Sequence, residues 1–262
     1  MFINNLNPVA FEIFDFQIRW YSLAYIFGII IAINFGKFLI KKNKFFEFKD
    51  NILEDYIPLS ILGIIFGGRI GYVIFYDFLY YIKNPIKIFY IWEGGMSFHG
   101  GLLGIIISAY YFSKKNKINF YNFADILAVI TPIGLMLGRI ANFINSELIG
   151  SPTNLPWAVT FSKIDSIPRH PSQLYEAFLE GIVLFLILNY LIKKIKYTPG
   201  IISSSFLFFY GFFRIISEQF RLPDQHIGYI IWNISMGSLL SCFMIAASIF
   251  LFFYVQKNNI RN

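Results

Sequence analysis

The feature that most limits how this chain can fold is a series of seven long apolar segments. Each is close to the ~20 residues that an α-helix needs to cross the hydrocarbon core of a bilayer. They lie at about residues 21–40, 57–80, 97–113, 122–142, 174–192, 201–220 and 232–255. Hydrophobic residues make up 56% of the 262 residues and charged residues only 14%, too apolar a composition for a soluble domain. The sequence therefore predicts an all-α polytopic membrane protein, with a single integral membrane domain over residues 1–262.

The basic residues between the apolar segments predict how the chain is oriented in the membrane. More than half of them follow segments one, three, five and seven: Lys37, Lys41, Lys42, Lys44, Lys49, Lys114, Lys115, Lys117, Lys193, Lys194, Lys196, Lys257 and Arg261. The positive-inside rule then places the N-terminus outside and the C-terminus in the cytoplasm. Because the cations cluster at helix ends, the net charge of +7 indicates topology and anionic lipid, and nucleic acid is not an expected partner.

The segments on the predicted outer side are longer than simple turns. Residues 81–95 combine lysines, a proline and the aromatic run Tyr90-Ile91-Trp92, which predicts an amphipathic arm in the membrane interface. Residues 146–171 predict a small outer head with a strand or two. The single cysteine, Cys242, excludes an internal disulfide and a cysteine zinc site.

Glycines recur at a four-residue spacing in three of the apolar segments. Small residues at this spacing let membrane helices approach each other closely. The glycines concerned are Gly63, Gly67 and Gly71, then Gly100 and Gly104, then Gly134 and Gly138. Ordinary tight helix packing is the simplest interpretation of most of them.

Residues 138–150, GRIANFINSELIG, place a fixed cation, amides and a carboxylate at the end of an apolar segment. Arg139, Asn142 and Ser146 recur at i, i+3 and i+7, which predicts that they share one helical face. Glu147 is predicted to lie close enough to Arg139 to be its counter-ion. An arginine side chain that extends to the membrane surface would explain Arg139 alone, but not the neighbouring amides and carboxylate.

Three arginines fall in or at the end of apolar segments: Arg69, Arg139 and Arg214. Arg69 is predicted near the middle of its segment, and the other two approach the outer side. We expect these arginines to be unmatched by an equal number of acids, so the sequence predicts an anion-binding site. Further along segment six, Tyr210, Arg214, Glu218 and Arg221 form one polar stripe, in which Arg214 and Glu218 are spaced to pair.

His99 lies at the outer end of segment three, between Phe98 and the glycines Gly100 and Gly101. A neutral imidazole there can accept a proton near neutral pH, as a general base must. A structural histidine that only makes a hydrogen bond explains this stretch equally well. RHPSQLYE, residues 169–176, is predicted to be structural, because it carries the stop and start signals of segment five.

Four motifs together resemble the bacterial prolipoprotein diacylglyceryl transferase family. They are HGG after WEGGMSF, the signature GRxxNFxNxExxG, RHPSQLYE and FRxxxExFRxPD, and the resemblance runs from Trp20 to about Met236. Ala141 stands where the family usually has glycine, and the outer head at 150–169 looks short. Neither departure removes a polar group, so both bear on substrate contacts of the head rather than on the chemistry.

The resemblance implies a transferase of the bacterial inner membrane that uses no cofactor or metal. Its substrates would be phosphatidylglycerol and the lipobox cysteine of preprolipoproteins, with a thioether and glycerol-1-phosphate as products. On this resemblance Arg139 and Arg214 hold the phosphate, and His99 is the candidate base. The expected substrate-binding residues are Tyr21, Arg69, Asn142, Glu147, Gly150, Tyr210 and Glu218, of which Glu218 positions Arg214.

Two other functions fit an anion site inside a membrane protein. A lipid flippase or lipid sensor would need the arginines but no thiol acceptor and no chemistry at His99. An anion transporter would be expected to show paired half-helices or an inverted repeat, and the sequence shows neither.

Overall fold

The structure, a computed structural model, describes residues 2–14, 16–222, 229–231 and 234–259. Arg261, the Pro223-Asp224 end of the last motif and residues 232–233 of the seventh apolar segment lie outside the described residues. The chain divides into two compact units. One comprises Met1–Phe38 and Asp125–Asn262, and the other comprises Leu39–Ala124.

Most of the described chain is helical. In chain order the helices are α1 (Trp20–Lys42), α2 (Ile52–Phe75), α3 (Phe78–Lys83), α4 (Phe98–Asn116), α5 (Phe120–Asn145), α6 (Ser172–Glu176), α7 (Leu184–Lys194), α8 (Ile201–Glu218) and α9 (Met236–Asn259). A π-helical stretch, Ala177–Val183, joins α6 to α7. The region Ser172–Lys194 is therefore one uninterrupted helical span.

Within the described ranges, six helices are long and apolar enough to cross a membrane. They are α1, α2, α5, the Ser172–Lys194 span, α8 and α9. The segment predicted at about residues 97–113 is present as the 19-residue helix α4 but is not one of these six, so the count of seven stays a prediction. Large apolar side chains such as Ile107 and Phe250 are 68% and 74% exposed on the helices, as expected of surfaces that face lipid. The predicted polytopic membrane protein is thus confirmed.

The second apolar segment begins and ends about five residues earlier than predicted. α2 starts at Ile52, and its first turn contains Glu54 and Asp55, which favour a helix N-terminus electrostatically. The helix ends at Phe75, and a separate short helix begins at Phe78. The expectation that Arg69 lies near mid-span is therefore wrong, because Arg69 falls in the last two turns of α2.

A glycine seam joins α2 to α4 in the Leu39–Ala124 unit. A Cβ added at Gly104 would come within 1.9 Å of the carbonyl oxygen of Gly63, and one at Gly67 within 2.4 Å of that of Gly100. The predicted close packing is confirmed for these glycines. It is wrong for Gly138, where an added Cβ would meet no described atom within 4 Å. A Cβ added at Gly134 also meets open space, but one added at Gly28 of α1 would lie 3.4 Å from the Cα of Gly134, so Gly134 is part of a close helix contact on its other side.

The other unit contains α1, α5 from Asp125 onward, and all helices from α6 to α9. Leu184 and Ile202 are fully buried in its core. At one end the carboxylate of Asp125 accepts the backbone N–H groups of Gly200 (2.8 Å) and Ser203 (2.7 Å). These are orphan donors at the start of α8, so Asp125 caps that helix from a different one.

Short strands accompany the helices. The sequence predicted a strand or two within residues 146–171 and no strands elsewhere. β1 (Phe2–Asn4) pairs in parallel with β4 (Val159–Phe161), which pairs antiparallel with β5 (Pro168–Arg169). Two hairpins are formed by β2 (Val9–Ile13) with β3 (Phe16–Arg19) and by β6 (Tyr229–Ile231) with β7 (Ile234–Ser235). The strand or two predicted within 146–171 are thus present, and the contribution of the N-terminal residues was missed.

The glycine seam predicts a contrast between two Gly→Ala substitutions in helices. Gly104→Ala places a methyl group against a backbone oxygen that cannot rotate away, and we expect a loss of about 1–3 kcal/mol in stability or more. Gly134→Ala meets open space and gains about 1 kcal/mol of helix propensity. Thermal unfolding of the two purified variants in detergent measures the difference. Equal melting temperatures would contradict the seam as described.

Candidate functional site

A buried cluster of arginines and glutamates joins α5, α6 and α8. In α5, Nη1 of Arg139 lies 2.8 Å from Oε2 of Glu176, and Nη2 lies 3.2 Å from Oε2 of Glu180. In α8, Nη1 of Arg214 lies 2.9 Å from Oε1 of Glu176. The carboxylate of Glu176 therefore bridges the two guanidinium groups, which holds them side by side.

The α8 end of the cluster extends past Arg214. Oε2 of Glu218 lies 2.7 Å from Nη2 of Arg214, which confirms the predicted pair. The hydroxyl of Ser235 donates to the other oxygen of Glu218 at 3.0 Å. Nη1 of Arg221 lies 3.6 Å from Oε1 of Glu176. Both basic residues of the predicted polar stripe, Arg214 and Arg221, therefore contact Glu176.

The cluster is balanced in charge, which contradicts the expectation of unmatched arginines for Arg139 and Arg214. Glu176 and Glu180 both lie against Arg139, and both are completely buried. A buried ion costs several kcal/mol unless it is paired, which explains why the acids accompany the bases. Three formal positive charges meet three negative ones: Arg139, Arg214 and Arg221 with Glu176, Glu180 and Glu218.

The expected counter-ion of Arg139, Glu147, has different partners in the structure. Its carboxylate accepts from the amide nitrogen of Asn142 at 2.9 Å and from that of Asn145 at 3.2 Å. The amide of Asn142 also lies 3.2 Å from the hydroxyl oxygen of Tyr21. Tyr21, Asn142 and Glu147, which the sequence predicted as substrate-binding residues, thus form one hydrogen-bonded line.

The loop after α5 explains why Glu147 turns away from Arg139. The helix ends at Asn145, and both Ser146 and Leu148 have positive φ (59° and 53°), a conformation that breaks the helical repeat. The prediction that Ser146 continues the helical face of Arg139 and Asn142 is therefore wrong. Helical spacing predicts which side chains share a face only as far as the last residue of the helix, here Asn145.

The segment predicted to be structural, RHPSQLYE, holds this loop in place. Gln173 donates to the carbonyl of Glu147 at 2.5 Å, and Ser172 donates to that of Leu148 at 3.0 Å. A Cβ added at Gly150 would lie 2.1 Å from the carbonyl oxygen of His170. Gly150, which the sequence predicts as a substrate-binding residue, is thus a point of close approach between two backbone segments of the protein.

Tyr210 lies one turn before Arg214 in α8 and is 1% exposed. It interacts electrostatically with both Arg139 and Arg214 and with the glutamates beside them. The structure therefore brings Tyr210, Arg139, Arg214 and Glu218 together, as the sequence predicted for a common site.

Arg69 and His99 belong to the Leu39–Ala124 unit. The five N–H groups of the Arg69 guanidinium all donate to backbone carbonyls between Lys87 and Gly95, with Ile88 at 2.9 Å and Tyr90 at 3.0 Å among them. Since an arginine has five donors, its hydrogen-bonding capacity is used by the arm. This geometry favours a positioning role for Arg69 over contact with substrate.

His99 is the second residue of α4. The residue is half-buried, both of its ring nitrogens are shielded from solvent, and its ring makes an edge contact with Phe98. The helix is capped just before it, where the hydroxyl of Ser97 accepts from the N–H of Gly100 at 3.2 Å. The neighbouring Gly100 packs against α2 in the glycine seam. The backbone around His99 is thus fixed by a cap and by close packing, as a residue with a positional requirement needs.

Glu176 and Glu180, the two acids on which the arginine pair depends, are absent from the site predicted from the sequence. The signal was available, because a carboxylate inside an apolar helical span is costly and points to a partner. Glu176 was assigned to a structural motif, and Glu180 falls in the π-helical stretch, a feature frequent at functional sites.

Comparison with known proteins agrees with these motifs. Residues 8–254 match the family described as prolipoprotein diacylglyceryl transferase. A protein of Rickettsia typhi named phosphatidylglycerol–prolipoprotein diacylglyceryl transferase is 50% identical over 248 residues, covering 94% of this chain and 95% of the relative. Proteins of the same name from Rickettsia felis and Rickettsia rickettsii (strain Sheila Smith) are 51% and 52% identical, each covering 90% of this chain and 92% of the relative. The chain therefore belongs to the prolipoprotein diacylglyceryl transferase family.

Proposed function

We propose that this protein transfers the diacylglyceryl group of phosphatidylglycerol to the lipobox cysteine of preprolipoproteins. In this reaction a C–S bond forms as the C–O bond between the diacylglyceryl carbon and the phosphate breaks. The thiol loses its proton, and glycerol-1-phosphate leaves with the electron pair of the broken bond. The family assignment and the names of the relatives support this reaction over lipid flipping or anion transport.

The observation that carries the proposal is the pair of guanidinium groups bridged by one buried carboxylate. Arg139 and Arg214 each lie within 3 Å of Glu176, and each is a planar fork suited to phosphate oxygens. In the described ion pairs of Arg139, each terminal nitrogen faces one carboxylate oxygen. Because a guanidinium has five N–H groups, further donors of Arg139 remain for a ligand. These donors would stabilise the negative charge that grows on the departing phosphate.

The hydrogen-bonded line of Tyr21, Asn142 and Glu147 supports a role in orienting the glycerol headgroup. Hydroxyl groups can both donate and accept, and this line offers a carboxylate acceptor, an amide and a phenol. The side chain of Gln173 donates to the backbone carbonyl of Glu147, and Gly150 packs closely against the backbone of His170, so the loop that carries Glu147 is fixed in position. We assign these residues to binding rather than to bond making.

His99 is the proposed general base for the thiol, and its role rests on the family motif HGG rather than on a measured contact. A thiol of pKa about 8.5 is mostly protonated at neutral pH, so a base nearby accelerates attack. Arg69 is proposed to position the arm through its carbonyl contacts.

The distribution of lysines supports an orientation with the N-terminus outside and the C-terminus in the cytoplasm of a bacterial inner membrane. Lipobox cysteines of exported preproteins would then be modified on the outer side. Residues 146–171 and the arm at 81–95 are proposed to guide the preprotein.

The phosphate clamp predicts that charge alone is insufficient at Arg139 and Arg214. Lysine keeps the charge that Glu176 and Glu180 require but lacks the planar fork, so Arg139→Lys and Arg214→Lys should fold and lose about 10²–10³-fold in rate. Release of glycerol phosphate from labelled phosphatidylglycerol with a lipobox peptide measures the rate. The exposed Arg19→Lys is the matched control. Near-parental turnover in both buried lysine variants would reject the clamp, and release without a peptide would reject thiol transfer.

General-base catalysis by His99 predicts a particular pH–rate profile. The imidazole must be neutral to accept a proton, so the activity of the parent should rise through about pH 6–7, the ordinary range of histidine. His99→Gln keeps the size and a hydrogen bond but should lose roughly 10²–10⁴-fold at neutral pH and recover as hydroxide generates thiolate. Profiles are measured with saturating lipid and lipobox peptide. A glutamine variant within a few-fold of the parent from about pH 6 to 9 would leave His99 a positional role only.

The proposed orientation can be checked by labelling single cysteines in a Cys242→Ser background. Lys115→Cys and Lys194→Cys should resist an impermeant thiol reagent applied outside intact cells, while Ser162→Cys should react. Lys115, Ser162 and Lys194 are all exposed on the protein surface, so the labelling reports on which side of the membrane each residue lies. The opposite pattern would invert the topology.

A further inference from the structure

The short helix α6 contacts both halves of the proposed site, although the sequence predicted its motif, RHPSQLYE, to be structural. Ser172 and Gln173 lie at the start of α6 and Glu176 lies three to four residues later, so the three side chains share one helical face. All three are completely buried. This face carries the carboxylate that bridges the two arginines and, one turn earlier, the side chains that contact the loop of Glu147.

The loop that carries Glu147 has an unfavourable backbone conformation. Ser146 and Leu148, the residues on either side of Glu147, have φ of 59° and 53°. A left-handed backbone costs free energy at residues other than glycine, so it persists only where surrounding contacts hold it. The amide of Gln173 donates to the carbonyl of Glu147 at 2.5 Å, and the hydroxyl of Ser172 donates to that of Leu148 at 3.0 Å. Two buried side chains of α6 therefore stabilise this conformation.

The contact with Gln173 also affects where the carboxylate of Glu147 lies. The backbone N–H of Glu147 donates to the carbonyl of Asn142 in α5 at 2.9 Å, whereas its backbone carbonyl is bound by Gln173 of α6. The carboxylate itself accepts from the side chain of Asn142 at 2.9 Å. Without the Gln173 donor, the carbonyl end of the residue would be free to rotate, and the carboxylate would lose its fixed position relative to α6.

We propose that Gln173 is a positioning residue that sets the selectivity of the site for a glycerol headgroup, an inference that rests on the proposed transferase function. A lipid whose phosphate lies at the arginine pair places its headgroup hydroxyls at a fixed distance from that phosphate. The carboxylate of Glu147 can accept these hydroxyls only if it keeps the matching distance from the arginines. Helix α6 supplies that distance, because it binds the arginines through Glu176 and the loop through Gln173.

The Gln173→Met variant tests this role, since methionine has a similar length but cannot donate a hydrogen bond. The KM for phosphatidylglycerol should rise about tenfold with kcat nearly unchanged, because a hydrogen bond to a charged group is misplaced. The inhibition constant of phosphatidic acid, which has the phosphate but no glycerol headgroup, should change by less than about twofold. Both constants are measured in the transfer assay with a lipobox peptide. Gln17→Met, the same change at an exposed glutamine, is the matched control and should alter neither constant.

A double-mutant cycle with Glu147→Gln shows whether Gln173 acts through Glu147. Glu147→Gln alone should raise the KM for phosphatidylglycerol, and adding Gln173→Met should raise it by less than about twofold more. Ser146→Gly makes the positive φ inexpensive and removes a hydroxyl that has no hydrogen-bond partner among the described residues. Added to Gln173→Met, it should restore most of the lost affinity.

The other outcomes overturn the inference. They are a parental KM in Gln173→Met, an equal rise of KM and of the inhibition constant, and additive effects in the cycle with Glu147→Gln. If the melting temperature shows that Gln173→Met does not fold, Ser172→Ala removes only a hydroxyl and should show the same split at about threefold, and parental constants there would reject the role of α6. Failure of the proposed function is a separate result, in which the parent protein itself releases no glycerol phosphate with the peptide present.

Discussion

The carboxylate of Glu176 is the contact on which the proposed site depends. It lies within 3 Å of both Arg139 and Arg214, so a single buried anion holds together side chains from α5, α6 and α8. Removing one member would leave uncompensated charge in a place that water does not reach, which costs more than the pair contributes. The geometry of the arginine pair consequently depends on how these helices pack, and the packing of the helices in turn depends on the ion pairs.

The Leu39–Ala124 unit satisfies its buried cation by a different means. Arg69 has backbone carbonyls as partners, and the carbonyls come from the arm after α3, which contains the short 3₁₀-helices Pro85–Phe89 and Ile91–Glu93. Backbone carbonyls outside regular α-helices of a membrane protein must find donors within the protein, and one arginine provides five. The guanidinium of Arg69 and the carbonyls of the arm therefore satisfy each other, which explains how a buried arginine persists there with backbone carbonyls as its described hydrogen-bond partners.

What the sequence predicted well is local. Apolar length gave the helices, and the spacing of Arg214 and Glu218 gave an ion pair one helical turn apart. What it missed depends on contacts between distant residues, such as β1 with β4 and Arg139 with Glu180. The turn at Ser146 shows a further limit, because a positive φ at a non-glycine residue is imposed by tertiary contacts rather than by the residue itself.

A site with balanced charges is compatible with the proposed chemistry on an anionic lipid. Phosphatidylglycerol carries one negative charge on its phosphate, whereas the departing glycerol phosphate gains a second as the C–O bond breaks. In the proposed reaction, donors that are already partly engaged by Glu176 and Glu180 would bind the substrate only moderately, and their attraction would grow with the charge on the leaving group. Interactions that strengthen toward the transition state raise the rate, while equal binding of substrate and transition state would not. In the proposed reaction the buried glutamates would thereby direct the arginines toward the leaving phosphate instead of opposing them.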